Sequence, residues 1–145
     1  MLILKISKVT LIGLVLLIAL ACVGAVNACT EGCTPGYWKN HYPEAWPISN
    51  GYLWFGGGYI DLNGDGNHDT LLDALNYNGG SGVNGAKRIF LRAWAAGVLN
   101  YYSPEIDYDT YIFGITGNIL SRGDRQELIY YAGILDGYNN LGCPY

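Results

Sequence analysis

Basic residues are scarce in this sequence, and the short motifs of well-known chemistries are missing. Only eight of its 145 residues are Lys or Arg, against twelve Asp and Glu, and two of those eight lie within the first 28 residues. Such an acidic balance without a cluster of cations excludes a nucleic-acid-binding protein, whose affinity comes mainly from cations on phosphates. The sequence has no C-x-x-C pair to support a zinc ribbon, and no H-E-x-x-H or G-x-S-x-G motif of a hydrolase.

The N-terminal segment has the pattern of a secretory signal. Two lysines precede an uncharged apolar run that ends in the small-residue sequence Val26-Asn27-Ala28. This pattern predicts a signal peptide over residues 1–28 and a single extracellular domain over residues 29–145. The alternative is an uncleaved anchor, because an apolar run of about 18 residues is long enough to span a bilayer. Both interpretations place the domain outside the cytoplasm.

Three cysteines follow the predicted signal, namely Cys29, Cys33 and Cys143. Export favours a disulfide, and a bond between Cys33 and Cys143 would join the two ends of the domain. In the loop-entropy model, closing so long a loop stabilises the fold by up to ~4.7 kcal/mol. Cys29 would then be the first residue after cleavage, which is the position of a lipid-modified cysteine. A Cys29–Cys33 bond that leaves Cys143 free is the alternative.

The pattern of apolar residues predicts a mostly α fold. Residues 34–60 are rich in Gly, Pro and aromatic residues, so we expect a loop-rich aromatic cap with one short helical turn at most, in which the run Gly56–Gly58 ends any strand begun at Tyr52. Beyond residue 70 the spacing of apolar residues is typical of helices, and the longest of these helices is amphipathic. We expect Asn residues in the left-handed conformation to end the helices. Helices are predicted over residues 70–77, 85–102, 108–120 and 124–138. The expected architecture is a small orthogonal helical domain closed by a terminal disulfide.

One loop has the spacing of a calcium site. The run from Asp61 to Asp69 sets oxygen-bearing side chains at positions 1, 3, 5 and 9, with Gly at position 6. This is the EF-hand spacing, in which position 7 offers its carbonyl, and hard oxygen ligands suit Ca²⁺. Position 12 is Leu72 instead of Glu, so we expect a dissociation constant on the order of 10⁻⁴–10⁻³ M. The predicted ligands are Asp61, Asn63, Asp65, Asn67, Asp69 and Asp73. The alternative is a metal-free Asx-rich turn that caps the next helix.

The aromatic residues before this loop are a candidate binding surface. Tyr52, Trp54 and Tyr59 lie among glycines, where their rings can be exposed and stack on sugars or on a protein partner. The alternative is that the rings fold onto the helices. His41 and His68 are interpreted as hydrogen-bonded structural imidazoles, since no catalytic motif accompanies them.

The run Cys33-Thr-Pro-Gly-Tyr-Trp-Lys-Asn-His41 resembles the signature of a family of secreted prokaryotic domains that begin CTPGYWKNH. The segments Leu71–Asn76 and Leu135–Pro144 fit the same pattern in order, so the resemblance covers nearly all of residues 29–145. It implies an extracellular module of bacterial or archaeal surface proteins, and it supports the Cys33–Cys143 pair. No activity is assigned to that family, so it implies no catalytic residues. The acidic loop from Asp61 is a departure from it.

These features together predict a secreted or cell-surface module of structural or adhesive type with a calcium loop. Its expected partner is an extracellular protein or a glycan, with membrane contact only through the N-terminal segment or a lipid on Cys29. The alternatives are a secreted hydrolase that uses carboxylates with His41, and a glycan-binding module. The absence of motif context around its Ser, His and Asp residues weighs against an enzyme.

Overall fold

The structure is a computed structural model that describes residues 31–108, 113–122 and 124–145. These residues form five helices and one two-stranded hairpin: α1 Pro35–Asn40, β1 Trp54–Phe55, β2 Gly58–Tyr59, α2 Leu71–Asn76, α3 Gly82–Tyr102, α4 Phe113–Arg122 and α5 Arg125–Asn139. The prediction of a mostly α domain is confirmed. The predicted signal peptide and Cys29 lie outside the described residues. Of the helices described, none is both long and apolar enough to cross a membrane.

Helix α3 is the centre of the domain, packed against α5 and α2. We expected one apolar face on this helix, but burial extends almost all the way round it. The apolar spacing predicts a face made of Ala86, Ile89, Phe90, Ala93, Val98 and Tyr101. Leu91, Ala95 and Leu99 are buried as well, whereas Tyr101 is 45% exposed. Small side chains allow neighbouring elements to approach α3 from several sides, and a helix covered on all sides is an interior helix.

The helix starts follow local capping signals. Thr70 caps α2 in a capping box with Asp73, and Asp124 caps α5 by accepting from the backbone N–H groups of Gln126 and Glu127. Helix α3 begins at Gly82 after Ser81, three residues before its predicted start. The helix predicted over residues 108–120 corresponds to α4, of which Phe113–Arg122 is described.

The prediction that Asn ends helices in the left-handed conformation is wrong. No described residue other than glycine has a positive φ. Asn139 is the last residue of α5 and is fully buried, so its side chain serves the core instead of the helix stop. Asn76 ends α2 with its amide donating back to the Leu72 carbonyl (2.8 Å).

The glycine run of the cap makes a hairpin, where we expected only the end of a strand. Trp54 pairs with Tyr59, and Phe55 pairs with Gly58. Gly56 and Gly57, which connect Phe55 to Gly58, have φ values of 61° and 85°. Two successive positive φ angles are what a two-residue hairpin turn requires, and glycine adopts them without strain. The hairpin therefore projects Trp54 and Tyr59 as neighbours.

The two ends of the domain are joined, as predicted, by the Cys33–Cys143 disulfide, whose Cα atoms are 4.4 Å apart. A backbone bridge reinforces the closure, since the Gly32 N–H donates to the Gly142 carbonyl (2.7 Å). A side chain at position 32 would overlap the Tyr138 carbonyl oxygen, so glycine is needed for this close approach.

A buried amide holds the N-terminal motif to the central helix. Asn100 Oδ1 accepts from the Cys33 N–H (2.9 Å) and from Trp38 Nε1 (2.8 Å). Its Nδ2 donates to the Cys33 carbonyl (3.0 Å) and to Asn139 Oδ1 (3.0 Å). All four hydrogen-bonding positions of this amide are used.

Asn139 extends the same network into α5 and the loop after α3. Its Oδ1 also accepts from the Tyr108 hydroxyl (2.8 Å), and its Nδ2 donates to the Ala93 carbonyl (2.9 Å). The segment that carries the CTPGYWKNH resemblance is thus bound through Cys33 and Trp38 into the core, which gives those residues a structural role.

Candidate functional site

The loop of residues 61–69 connects the hairpin to α2 and is folded around its own side chains. Asp61 accepts from two backbone N–H groups, those of Gly64 (2.7 Å) and Gly66 (3.1 Å). Gly64 and Gly66 have φ values of 81° and 84°, so the predicted sharp turn at the position-6 glycine is confirmed. Asn63 Oδ1 accepts from the Asp65 N–H (2.8 Å), and Asp65 Oδ1 accepts from the Asn67 N–H (2.7 Å). The loop therefore holds a tight turn by Asx hydrogen bonds.

Asp69 is the last residue of the loop. It is the one predicted ligand that is buried, with 1% of its surface exposed. Its backbone N–H donates to the Ile60 carbonyl (2.7 Å), and its own carbonyl accepts from the Leu53 N–H (2.8 Å). Its carboxylate Oδ2 accepts from the Leu62 N–H (2.5 Å) and from the Tyr77 hydroxyl (2.5 Å). Oδ1 of the same carboxylate is buried and has no hydrogen-bond partner among the described residues.

The Tyr77 hydroxyl donates a hydrogen bond to the Asp69 carboxylate. Burial raises the pKa of Tyr77 above its ordinary value, and the hydrogen bond and charge of Asp69 raise it further, followed by the charges of Asp73 and Asp61. The phenol therefore stays protonated and donates to Asp69.

Asp73, a predicted ligand, takes part in the capping box of α2. Its Oδ2 accepts from the backbone N–H of Thr70 (2.8 Å) and from the Thr70 hydroxyl (2.6 Å), which completes the capping box of α2. Both bonds are made by Oδ2, which is thereby held at the start of α2, and we do not include Asp73 in the ligand set proposed below.

In the geometry described, the loop carboxylates are turned toward backbone N–H groups and not toward one another. No group of three or more His, Cys, Asp or Glu side chains is gathered to hold a metal ion in the part of the chain that the structure describes. The side chains of Asn63 and Asn67 and the backbone carbonyls of the loop are further oxygen donors outside those residue types. Calcium binding at this loop stays a prediction.

The three predicted surface aromatics are exposed and lie together beside the loop. Tyr52, Trp54 and Tyr59 are 64%, 56% and 51% exposed. Tyr59 is central, with its ring centroid 4.6 Å from that of Trp54 and 6.0 Å from that of Tyr52, both in edge-to-face geometry. A fourth ring, His68 of the acidic loop, stacks on Tyr59 at 3.9 Å. We call these four side chains the aromatic platform.

His41 serves the end of α1. Its Nδ1 lies 2.8 Å from the Tyr37 carbonyl, which can only accept, so Nδ1 carries the proton. Its ring stacks on Tyr37 at 4.3 Å, and Tyr145 stacks on Tyr37 at 5.7 Å. This environment is that of a structural imidazole.

No pattern in the sequence pointed to Tyr77, and the sequence suggested a hydrogen-bonded structural imidazole for His68, with no place among the surface aromatic residues. Tyr77 follows α2, eight residues after Asp69, and no motif links the two positions. His68 occupies a loop position whose side chain is not a usual ligand, and only the fold places it on Tyr59.

Comparisons of the chain with protein-family models, with curated proteins and with solved structures find no match. The resemblance to the CTPGYWKNH domains therefore stays an expectation.

Proposed function

We propose that this protein is an extracellular structural or adhesive module whose loop of residues 61–69 binds Ca²⁺ and is stabilised by it. The observation that carries the proposal is the buried and unpaired Oδ1 of Asp69. A buried carboxylate oxygen without a donor costs free energy that a bound cation would recover. Asp69 is also the residue that the calcium-loop spacing places at position 9.

The local charge balance supports a cation. Asp61, Asp65 and Asp69 lie within nine residues, and the sequence contains no Lys or Arg between Lys39 and Lys87. Arg92 approaches this region, but its Nη1 donates to the backbone carbonyl of Tyr77 (3.3 Å). Mutual repulsion of the carboxylates disfavours the compact loop, and a divalent cation would offset it.

The Asx hydrogen bonds are compatible with a metal-bound loop. Asp61 uses both carboxylate oxygens for backbone N–H groups, and each oxygen has a second lone pair. We propose that Asp61, Asn63, Asp65, Asp69 and the carbonyl of Asn67 supply the oxygens, after modest rotation of the side chains. With no Glu at position 12, binding is expected to be weak.

An extracellular setting is the one in which such a module works. The Cys33–Cys143 disulfide persists in oxidising compartments. Extracellular calcium modules bind with dissociation constants of about 10⁻⁴–10⁻³ M, the range expected here.

Calcium binding is tested directly by titration calorimetry on EDTA-stripped protein, with Tb³⁺ luminescence excited through the nearby Tyr rings as a second readout. We expect saturable binding of one ion, much weaker binding of Mg²⁺, and a roughly tenfold loss of affinity in Asp65→Asn. Asp65→Asn keeps an oxygen for the Asn67 N–H while removing the charge.

The matched control is Asp107→Asn, since Asp107 is an exposed carboxylate in the segment after α3, outside the loop. Its affinity for Ca²⁺ should equal that of the wild type. The proposal is wrong if the wild type gives neither heat nor saturable Tb³⁺ emission, or if both variants lose binding equally.

A further inference from the structure

The aromatic platform is an exposed surface with no catalytic or core role in the fold. Tyr52 and Trp54 are more than half exposed, although both belong to the short hairpin region that leads into the acidic loop. The glycine turn at Gly56 and Gly57 fixes the hairpin, and the backbone bridge between Tyr52 and Thr70 ties it to α2. The platform is thus held in place by backbone pairing while its rings face solvent.

The ring arrangement excludes a cation cage. A cage requires rings that line an empty centre, whereas Tyr59 is covered by His68 on one face (3.9 Å) and approached by Trp54 at its side (4.6 Å). The rings fill the centre of the cluster themselves. What the platform offers is the outer faces of Trp54 and Tyr52, which are flat, apolar and rimmed by hydroxyl and imidazole groups.

The charge around the platform selects among ligands with a flat apolar face. The sequence from residue 40 to 86 has no Lys or Arg, and the adjoining loop contributes Asp61 and Asp65 as exposed carboxylates. Anionic ligands would meet repulsion from these two carboxylates. The cation described near the hairpin, Lys87, lies with Phe55 and Gly56 at its turn. The exposed carboxylates and the exposed ring faces favour a neutral ligand. Such a ligand would donate hydroxyl hydrogen bonds to the carboxylates and present a C–H face to a ring.

We propose that the aromatic platform binds neutral polysaccharides of β-linked, all-equatorial pyranose units. Such sugars carry all their axial C–H bonds on two flat faces and all their hydroxyls at the rim, so one face stacks on Trp54 or Tyr52 while the hydroxyls reach the acidic loop. This inference extends the proposed adhesive function by naming its ligand class. Its stacking rings, Tyr52 and Trp54, include no proposed calcium ligand, so Trp54→Ala tests the platform separately from the calcium site, although Asp61 and Asp65 belong to both arguments.

The test is affinity electrophoresis of the purified protein in gels that contain hydroxyethylcellulose, a neutral β-linked glucan, or carboxymethylcellulose, which has the same backbone with added negative charge. We expect retardation by the neutral polymer, in EDTA as well as in calcium, and much less by the anionic one at low salt. Trp54→Ala should weaken retardation roughly tenfold, since a stacked ring contributes about that much affinity.

Tyr130→Ala is the matched control, because Tyr130 on α5 is 64% exposed, as Tyr52 is, but lies outside the platform. Its retardation should equal that of the wild type. Tryptophan fluorescence gives a second readout: all four tryptophans are described, and Trp54 is exposed whereas Trp38 is buried and Trp46 and Trp94 are half-buried. Added polymer should protect Trp54 from acrylamide quenching, and Trp54→Phe should abolish this change.

The proposal is overturned if the neutral polymer does not retard the wild type while calcium titration shows an intact site. It is also overturned if Tyr130→Ala weakens retardation as much as Trp54→Ala. Two other results would assign the platform to another class of partner. One is stronger binding to carboxymethylcellulose than to the neutral glucan. The other is Trp54-dependent binding to phosphatidylcholine vesicles or to polylysine without binding to the neutral glucan.

Discussion

Replacement of Asn100 by Leu tests whether the buried amide network closes the domain. Leu has nearly the shape of Asn but neither donates nor accepts a hydrogen bond. The change removes the acceptor for the Cys33 N–H and for Trp38 Nε1, and the donor to the Cys33 carbonyl and to Asn139. Asn139 retains its bond from Tyr108, so its loss is smaller.

The expected cost follows from the two donors left unpaired. Both the Cys33 N–H and Trp38 Nε1 belong to residues with 0% exposure, so water cannot replace the lost acceptor. Each buried unsatisfied group costs about 1–3 kcal/mol, which gives roughly 2–6 kcal/mol for the pair. Since a domain of this size is stable by about 5–15 kcal/mol, the variant should lose a large share of its stability.

Chemical denaturation, followed by far-ultraviolet circular dichroism with the disulfide intact, measures this loss. The control is Asn76→Leu, which removes one exposed bond within α2 and should change stability by less than about 0.5 kcal/mol. If Asn100→Leu unfolds at the same denaturant concentration as Asn76→Leu, the network does not hold the N-terminal motif and the structural reading of that motif is wrong.

Two further predictions concern Tyr77 and the disulfide. Tyr77→Phe removes a donor to the buried Asp69 carboxylate and should cost about 1–3 kcal/mol in urea unfolding. Because the pKa of Tyr77 is raised in the folded state, its contribution to stability is complete below pH 10.0, the ordinary pKa value, and declines as the pH rises above it. The stability of Tyr77→Phe should therefore fall less steeply in alkali than that of the wild type. An equal dependence of stability on pH in both proteins would contradict the role given to the Tyr77 hydroxyl. Cys143→Ser should lower the free energy of unfolding by roughly 2–5 kcal/mol. A variant as stable as the disulfide-bonded wild type would exclude closure by the Cys33–Cys143 bond.

Features set by residues close in sequence could be predicted. The cap at Asp124 uses a side chain that reaches N–H groups two and three residues away, and the turn at Gly66 requires only a local positive φ. The disulfide was predictable because few cysteines follow the apolar segment and two of them lie at opposite ends of the domain.

Features set by distant residues could not be predicted. Asn100 lies 67 residues from Cys33 and 39 from Asn139, and nothing in the local sequence distinguishes a core amide from a helix-ending one. The burial of α3 on nearly all sides depends on where α2 and α5 pack, so its apolar spacing alone suggested a single face.

The candidate site divides in the same way. The spacing of oxygen-bearing residues over 61–69 could be recognised in the sequence. For Tyr52, Trp54 and Tyr59 the sequence allowed either exposed rings or rings folded onto the helices, and the rings are exposed. The burial of Asp69, its unpaired oxygen and its bond to Tyr77 depend on the backbone pairing of Asp69 with Leu53 and Ile60, which the sequence pattern does not specify.

The melting temperature of the wild type and of Asp69→Asn, each in EDTA and in 10 mM Ca²⁺, tests the calcium proposal most directly. With a dissociation constant of about 0.3 mM, ~10 mM Ca²⁺ should stabilise the wild type by roughly 2 kcal/mol, or several degrees. Asp69→Asn keeps an oxygen for the Leu62 N–H and Tyr77 hydroxyl but removes the buried charge, so we expect it to equal or exceed the wild type in EDTA and to gain little from calcium. A wild-type melting temperature unmoved by calcium, with Asp69→Asn less stable in both buffers, would contradict the proposal and leave the loop as a metal-free Asx turn.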